Sequence, residues 1–188
     1  MSLLRWFPSF LGFPLGGYLA FLVAGPVAGP AAALLAGAIA GAVLGAAQFL
    51  THRRALGLRW AAATTIGLAL GSALAAAVTG SGADLPSLVL TGAIAGSAVG
   101  LAQAVVLRRG IGRGAVWTAV TSAGWALGWL LSGVVIIGTS SGWVVFGAIG
   151  AIVVTVLTGL VLRVLLGRRG AAPAIPAASA ALAEAAGR

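Results

Sequence analysis

One unit occurs three times in this chain, and that repetition limits the fold more than any other feature. Gly37-Ala-Ile-Ala-Gly41-Ala-Val-Leu-Gly45-Ala-Ala-Gln48 returns as Gly92-Ala-Ile-Ala-Gly96-Ser-Ala-Val-Gly100-Leu-Ala-Gln103. The tract from Gly147-Ala-Ile echoes it about 55 residues further on. A second pattern alternates with the first: Ser9-x-x-Gly12-x-x-x-Gly16-x-x-x-Ala20, then Thr64-x-x-Gly67-x-x-x-Gly71-x-x-x-Ala75, then Thr121-x-x-Gly124-x-x-x-Gly128-x-x-x-Ser132. Self-similarity of this kind means that each copy is one supersecondary unit that buries its faces against the others. The units run over 1–59, 60–114 and 115–170, and an Ala/Pro-rich tail follows at 171–188.

Each unit holds two apolar stretches. They lie near 7–24, 31–51, 60–79, 86–107, 115–137 and 143–166, each close to the roughly 20 residues that cross about 30 Å of hydrocarbon. Hydrophobic residues make up 61% of the chain and charged residues 7%, with a mean hydropathy of +1.14, outside the range of a soluble domain. The sequence therefore predicts an all-α membrane protein. Its six transmembrane helices form three parallel-repeat hairpins, related by a pseudo-threefold axis along the membrane normal.

All eleven basic residues are arginine. Arg53, Arg54 and Arg59 follow the second span, Arg108, Arg109 and Arg113 the fourth, and Arg168 and Arg169 the sixth, whereas the turns at 25–30, 80–85 and 138–142 carry none. The positive-inside rule then puts both termini in the cytoplasm and the chain in the cytoplasmic (inner) membrane of a bacterial cell. The lipid bilayer is the expected partner, together with a second membrane subunit. Arginines that flank spans form no soluble basic face, so nucleic acid is not expected as a partner. The first apolar stretch imitates a cleavable signal peptide, but its membership of the repeat assigns it to the mature protein.

At about 100° per residue, positions i, i+4, i+8 and i+11 share a helix face. Gly37, Gly41, Gly45 and Gln48 fall on such a stripe, as do Gly92, Gly96, Gly100 and Gln103, and then Gly147, Ala151, Thr155 and Thr158. Small residues at this spacing read as packing seams. Gln48 and Gln103 each precede an arginine by five residues, about 7.5 Å of helix rise. Gln48, Gln103, Thr158, Ser9, Thr64 and Thr121 should therefore form one polar layer on the cytoplasmic side. It reads as a set of interhelical clasps, and in the sharper reading as the floor of an inward-facing cavity.

Catalysis within a membrane needs a carboxylate, histidine, thiol or metal among the helices. The two acidic residues are Asp84, in a turn, and Glu184, in the tail; there is no cysteine, and the one histidine, His52, stands beside Arg53 at the boundary. No catalytic residue, cofactor or metal site is expected, and the chain is not expected to be an enzyme. The Gly37-x-x-x-Gly41-x-x-x-Gly45 tract resembles the hairpins of the rotor-ring proteolipids of ATP synthases, which implies close helix packing. Those proteins carry a mid-membrane carboxylate, and no span here has one. Three two-helix units are also similar in topology to the mitochondrial carriers, without their intramembrane charges.

Trp6, Trp60 and Trp117 open the odd spans and Trp143 the sixth, as interfacial rings do. Trp125 and Trp129 lie four residues apart inside the fifth span, a packed or lipid-facing stripe and a candidate docking face for another subunit. A short helix is expected within the tail, from about Ala177 to Ala186. Together these features point to an accessory or scaffolding subunit of a membrane assembly. The alternative is a small-solute permease or channel with its site at the polar layer.

Overall fold

Proline, glycine and one aspartate mark where the apolar runs start and stop as helices. The computed structural model describes residues 2–53, 55–135, 145 and 147–167, and among these every regular element is a helix, with no strand. The elements are α1 (Leu3–Trp6), a 3-10 segment (Phe7–Leu11), α2 (Gly12–Ala24), α3 (Pro30–Thr51), α4 (Leu58–Thr79), α5 (Leu85–Leu107), α6 (Ile111–Val135) and α7 (Ala148–Gly167). Pro30 opens α3 at a position where its missing N–H costs nothing. Asp84 caps α5, accepting from the Ser87 backbone at 3.0 Å and from its hydroxyl at 2.6 Å. Those two bonds hold its carboxyl below the ordinary range. Gly80, at φ +62°, ends α4 in the left-handed conformation that glycine adopts without strain.

The first span is not one continuous α-helix. Pro8 has no N–H to continue an α-helical ladder, and the chain tightens into the 3-10 segment before α2 resumes. Five segments, Leu3–Ala24, Pro30–Thr51, Leu58–Thr79, Leu85–Leu107 and Ala148–Leu166, are long and apolar enough to cross a membrane. The sixth expected span, α6, has the length, 25 residues, but its tryptophans, Thr118, Thr121 and Ser122 lower its hydropathy. Trp143, the 138–142 turn and the expected tail helix lie outside the described residues.

Each helix packs on the next in chain order, and α7 packs back on α1, the 3-10 segment and α2, so the helices close a ring. The small residues lie in the seams. A β-carbon on Gly37 would fall 2.6 Å from the Leu68 carbonyl oxygen of α4, and one on Gly41 or Gly45 would fall 2.8 Å from Cα of Thr65 or Ala61. Gly92, Gly96 and Gly100 of α5 meet Trp125, Thr121 and Thr118 of α6 in the same way, at 2.6, 2.7 and 2.7 Å. Gly12 and Gly16 serve the seam between α2 and α3, Gly67 and Gly71 that between α4 and α5, and Gly150 rests against Gly128 between α7 and α6. Backbones approach this closely only where side chains are absent, which is how helices associate once lipid removes the hydrophobic drive.

Large apolar side chains are distributed outward instead: Leu15, Leu22, Ile66, Leu70, Leu101, Val105 and Val164 are all exposed. An apolar exterior of this extent suits hydrocarbon, not water. On the axis, one apolar layer takes a residue from every span: Phe13, Leu44, Leu68, Val99, Trp125 and Val154, none more than 3% exposed. The Phe13 and Trp125 rings meet edge-on across the bundle, 5.5 Å between centroids.

Candidate functional site

The expected polar layer lies next to that apolar plug, toward the end of the bundle that carries the arginines. Gln48 sits near the end of α3 and Gln103 near the end of α5, 8% and 2% exposed, each aimed inward by the glycine stripe beneath it. Trp60 at the start of α4 donates its indole N–H to Gln48 Oε1 at 2.7 Å, and Trp117 in the second turn of α6 donates to Gln103 Oε1 at 3.1 Å. Gln103 Nε2 then donates to Thr64 Oγ1 at 2.8 Å and reaches Gln48 Oε1 at 3.5 Å. Thr64 donates onward to the Trp60 carbonyl at 2.9 Å. Four helices are thereby tied by one continuous set of hydrogen bonds, and each amide oxygen accepts from an indole.

The remaining layer residues are placed differently. Thr121 and Thr158 line the same narrow void as the glutamines, but they donate to carbonyls of their own helices, Trp117 at 2.9 Å and Val154 at 2.7 Å. Ser9, 1% exposed, has a hydroxyl without a partner. The layer thus joins Gln48, Gln103 and Thr64, and leaves Ser9, Thr121 and Thr158 out of the network.

Where α7 has Thr158 at the level of the glutamines, the Trp6 indole finds another acceptor. Trp6 donates to the Thr155 backbone carbonyl at 3.0 Å. Gly159 gives it room: a β-carbon there would collide with the Trp6 ring.

Trp6, Trp60 and Trp117 are therefore not an interfacial belt. Each is 1% exposed, and with Leu56, Leu162 and Leu165 they form an apolar cap inside the arginine end of the bundle. Burial is tolerated because every indole N–H keeps an acceptor. Trp60 and Trp117 stand one helical turn before the layer threonines Thr64 and Thr121, a spacing that puts them on the layer's face and could have identified them.

The expectation of a docking face at Trp125 and Trp129 is also corrected. They are 2% and 3% exposed. Gly92 and Gly96 of α5 leave space for the α6 backbone and for both indoles, so this stripe turns toward the axis.

Between plug and polar layer the void measures about 10 Å³, at the lower edge of what one water occupies. Among the described residues no three of His, Cys, Asp and Glu stand close enough to hold a metal. His52, just beyond α3, lies edge-on to Trp6 at 5.9 Å. Burial first, then the positive charges of the chain's N-terminal amine and of Arg5, lower its pKa. The arrangement can pin helices together and exclude water.

Comparison with protein-family models, with curated proteins and with solved structures finds no match.

Proposed function

We propose that the chain is a non-enzymatic, multi-pass accessory or scaffolding subunit of a membrane assembly. In this reading three duplicated hairpins surround a pseudo-threefold axis, with both termini on the cytoplasmic side of an inner membrane. The observation that carries it is the filled axis. Among the described residues six apolar side chains, a hydrogen-bonded glutamine–tryptophan layer and a tryptophan cap succeed one another, and the void between the apolar side chains and the glutamines holds about one water. A permease needs groups free to replace a solute's hydration. Here the Gln103 amide and the Gln48 oxygen are already engaged. Equivalent positions of the sequence repeat supply each layer, which supports the pseudo-threefold arrangement, and the arginines at one end support the orientation.

The reading is tested by purification at native expression and by reconstitution. The chain should migrate with a larger assembly. Proteoliposomes under a glycerol or urea gradient should swell no faster than empty liposomes, and Gln48→Leu or Gln103→Leu should alter unfolding without altering swelling. A lone monomer at native expression, or swelling that the wild type accelerates and Gln103→Leu abolishes, would sink the scaffold and favour the permease.

A further inference from the structure

At the arginine end, a recess of about 480 Å³ opens between the 55–57 turn, the start of α4, the end of α5 and Leu166 of α7. Its apolar lining includes Leu56, Trp60, Leu107 and Leu166, and its two charged residues are Arg59 and Arg109. Arg59 is exposed and Arg109 half-buried. Among the described residues neither has a carboxylate to pair with, since Asp84, the only acidic one there, caps α5 at the opposite end. The start of α4 adds to the positive potential, since no side chain caps it and its first turn has no acidic residue.

We infer that this recess binds the phosphate headgroup of an anionic phospholipid. The inference rests on the membrane reading of the chain, but not on the scaffold role. Two guanidiniums with no counter-charge among the described residues, at the edge of an apolar bundle, suit a phosphodiester, which guanidinium groups bind through paired N–H donors. The apolar lining distinguishes a lipid from a free anion, which would have no use for it. Leu58, 71% exposed, carries the rim toward the outer apolar surface where acyl chains would lie. Basic pockets between spanning helices recognise lipid headgroups on this principle.

The test uses the full chain in detergent, with dioleoylphosphatidylglycerol and dioleoylphosphatidylcholine as probes, read by native mass spectrometry and thermal unfolding. The wild type should retain one phosphatidylglycerol in preference to phosphatidylcholine, and Arg59→Gln/Arg109→Gln should lower that preference by roughly tenfold or more. Arg53→Gln/Arg113→Gln, with the same loss of charge outside the recess, should retain it. Equal retention of both lipids by the wild type would overturn the proposal without recourse to any variant. An equal loss in both double variants would also overturn it, since the effect would then be diffuse charge. Displacement of phosphatidylglycerol by millimolar inorganic phosphate would identify a free-anion site, and would overturn the lipid assignment. The scaffold reading could fail in its own experiments with this result unchanged.

Discussion

Gln103 serves three partners with one amide: it accepts from Trp117 and donates to both Thr64 and Gln48. Gln48 contributes only its oxygen to the same network. Removing Gln103 leaves a buried indole N–H without an acceptor and takes the donor from Thr64. Gln103→Leu should therefore destabilise by roughly 1–2 kcal/mol, near the upper end for polar contacts within membranes, and Gln48→Leu by less. Reversible unfolding in mixed micelles, followed by tryptophan fluorescence, gives the order. An equal or reversed order would show that the network does not run through Gln103. At this scale the sequence carried the glutamines and threonines, because their phase and depth follow from counting along a helix. It did not carry their donors. A tryptophan near a span end has the same sequence position whether it faces headgroups or caps the interior, and only its hydrogen-bond partner separates the two cases.

The helices themselves were more legible. Glycine stripes every fourth residue identify a seam without identifying which neighbour fills it; the structure assigns the Gly37 and Gly92 stripes to the helix that follows each in the chain. The cost of closing a seam depends on what stands opposite. At Gly96 the neighbours are the Thr121 carbonyl oxygen and Trp125 Cβ, neither of which can swing away, whereas Gly112 of the same bundle faces open space. Gly96→Ala should cost roughly 1–3 kcal/mol by forcing α5 and α6 apart. Gly112→Ala should be neutral or gain up to about 1 kcal/mol from helix propensity. Equal responses of the two variants in the same unfolding assay would mean that the stripe is not a seam. The break in the first span was less accessible. Pro8 forecasts an interruption, but a proline alone does not say whether the chain kinks, ends its helix or tightens into a 3-10 segment.

For the molecule as a whole, charge is so sparse that its response between pH 5 and 8 depends largely on one side chain. His52, half-buried near Arg5, has a lowered pKa, so the unfolded chain takes up its proton before the folded one does. Its contribution is fully present above about pH 6.5 and is lost as acidification protonates it. The unfolding midpoint should fall between pH 8 and pH 5.5, and His52→Gln should flatten that change; an unaltered slope in the variant would assign it elsewhere. Closure of the ring lay beyond the repeat alone, since three hairpins can splay as well as close. Contact of α7 with the N-terminal segment is what closes it. That last contact depends on the 3-10 segment. From Trp60 to Thr64 and from Trp117 to Thr121 the chain advances four residues, but from Trp6 to Ser9 it advances three. Three residues at the 3-10 rise and four at the α-helical rise both climb about 6 Å, and each makes about one turn. Trp6 thus stands about 6 Å of rise from Ser9, as Trp60 does from Thr64 and Trp117 from Thr121, but reaches it over a shorter stretch of chain.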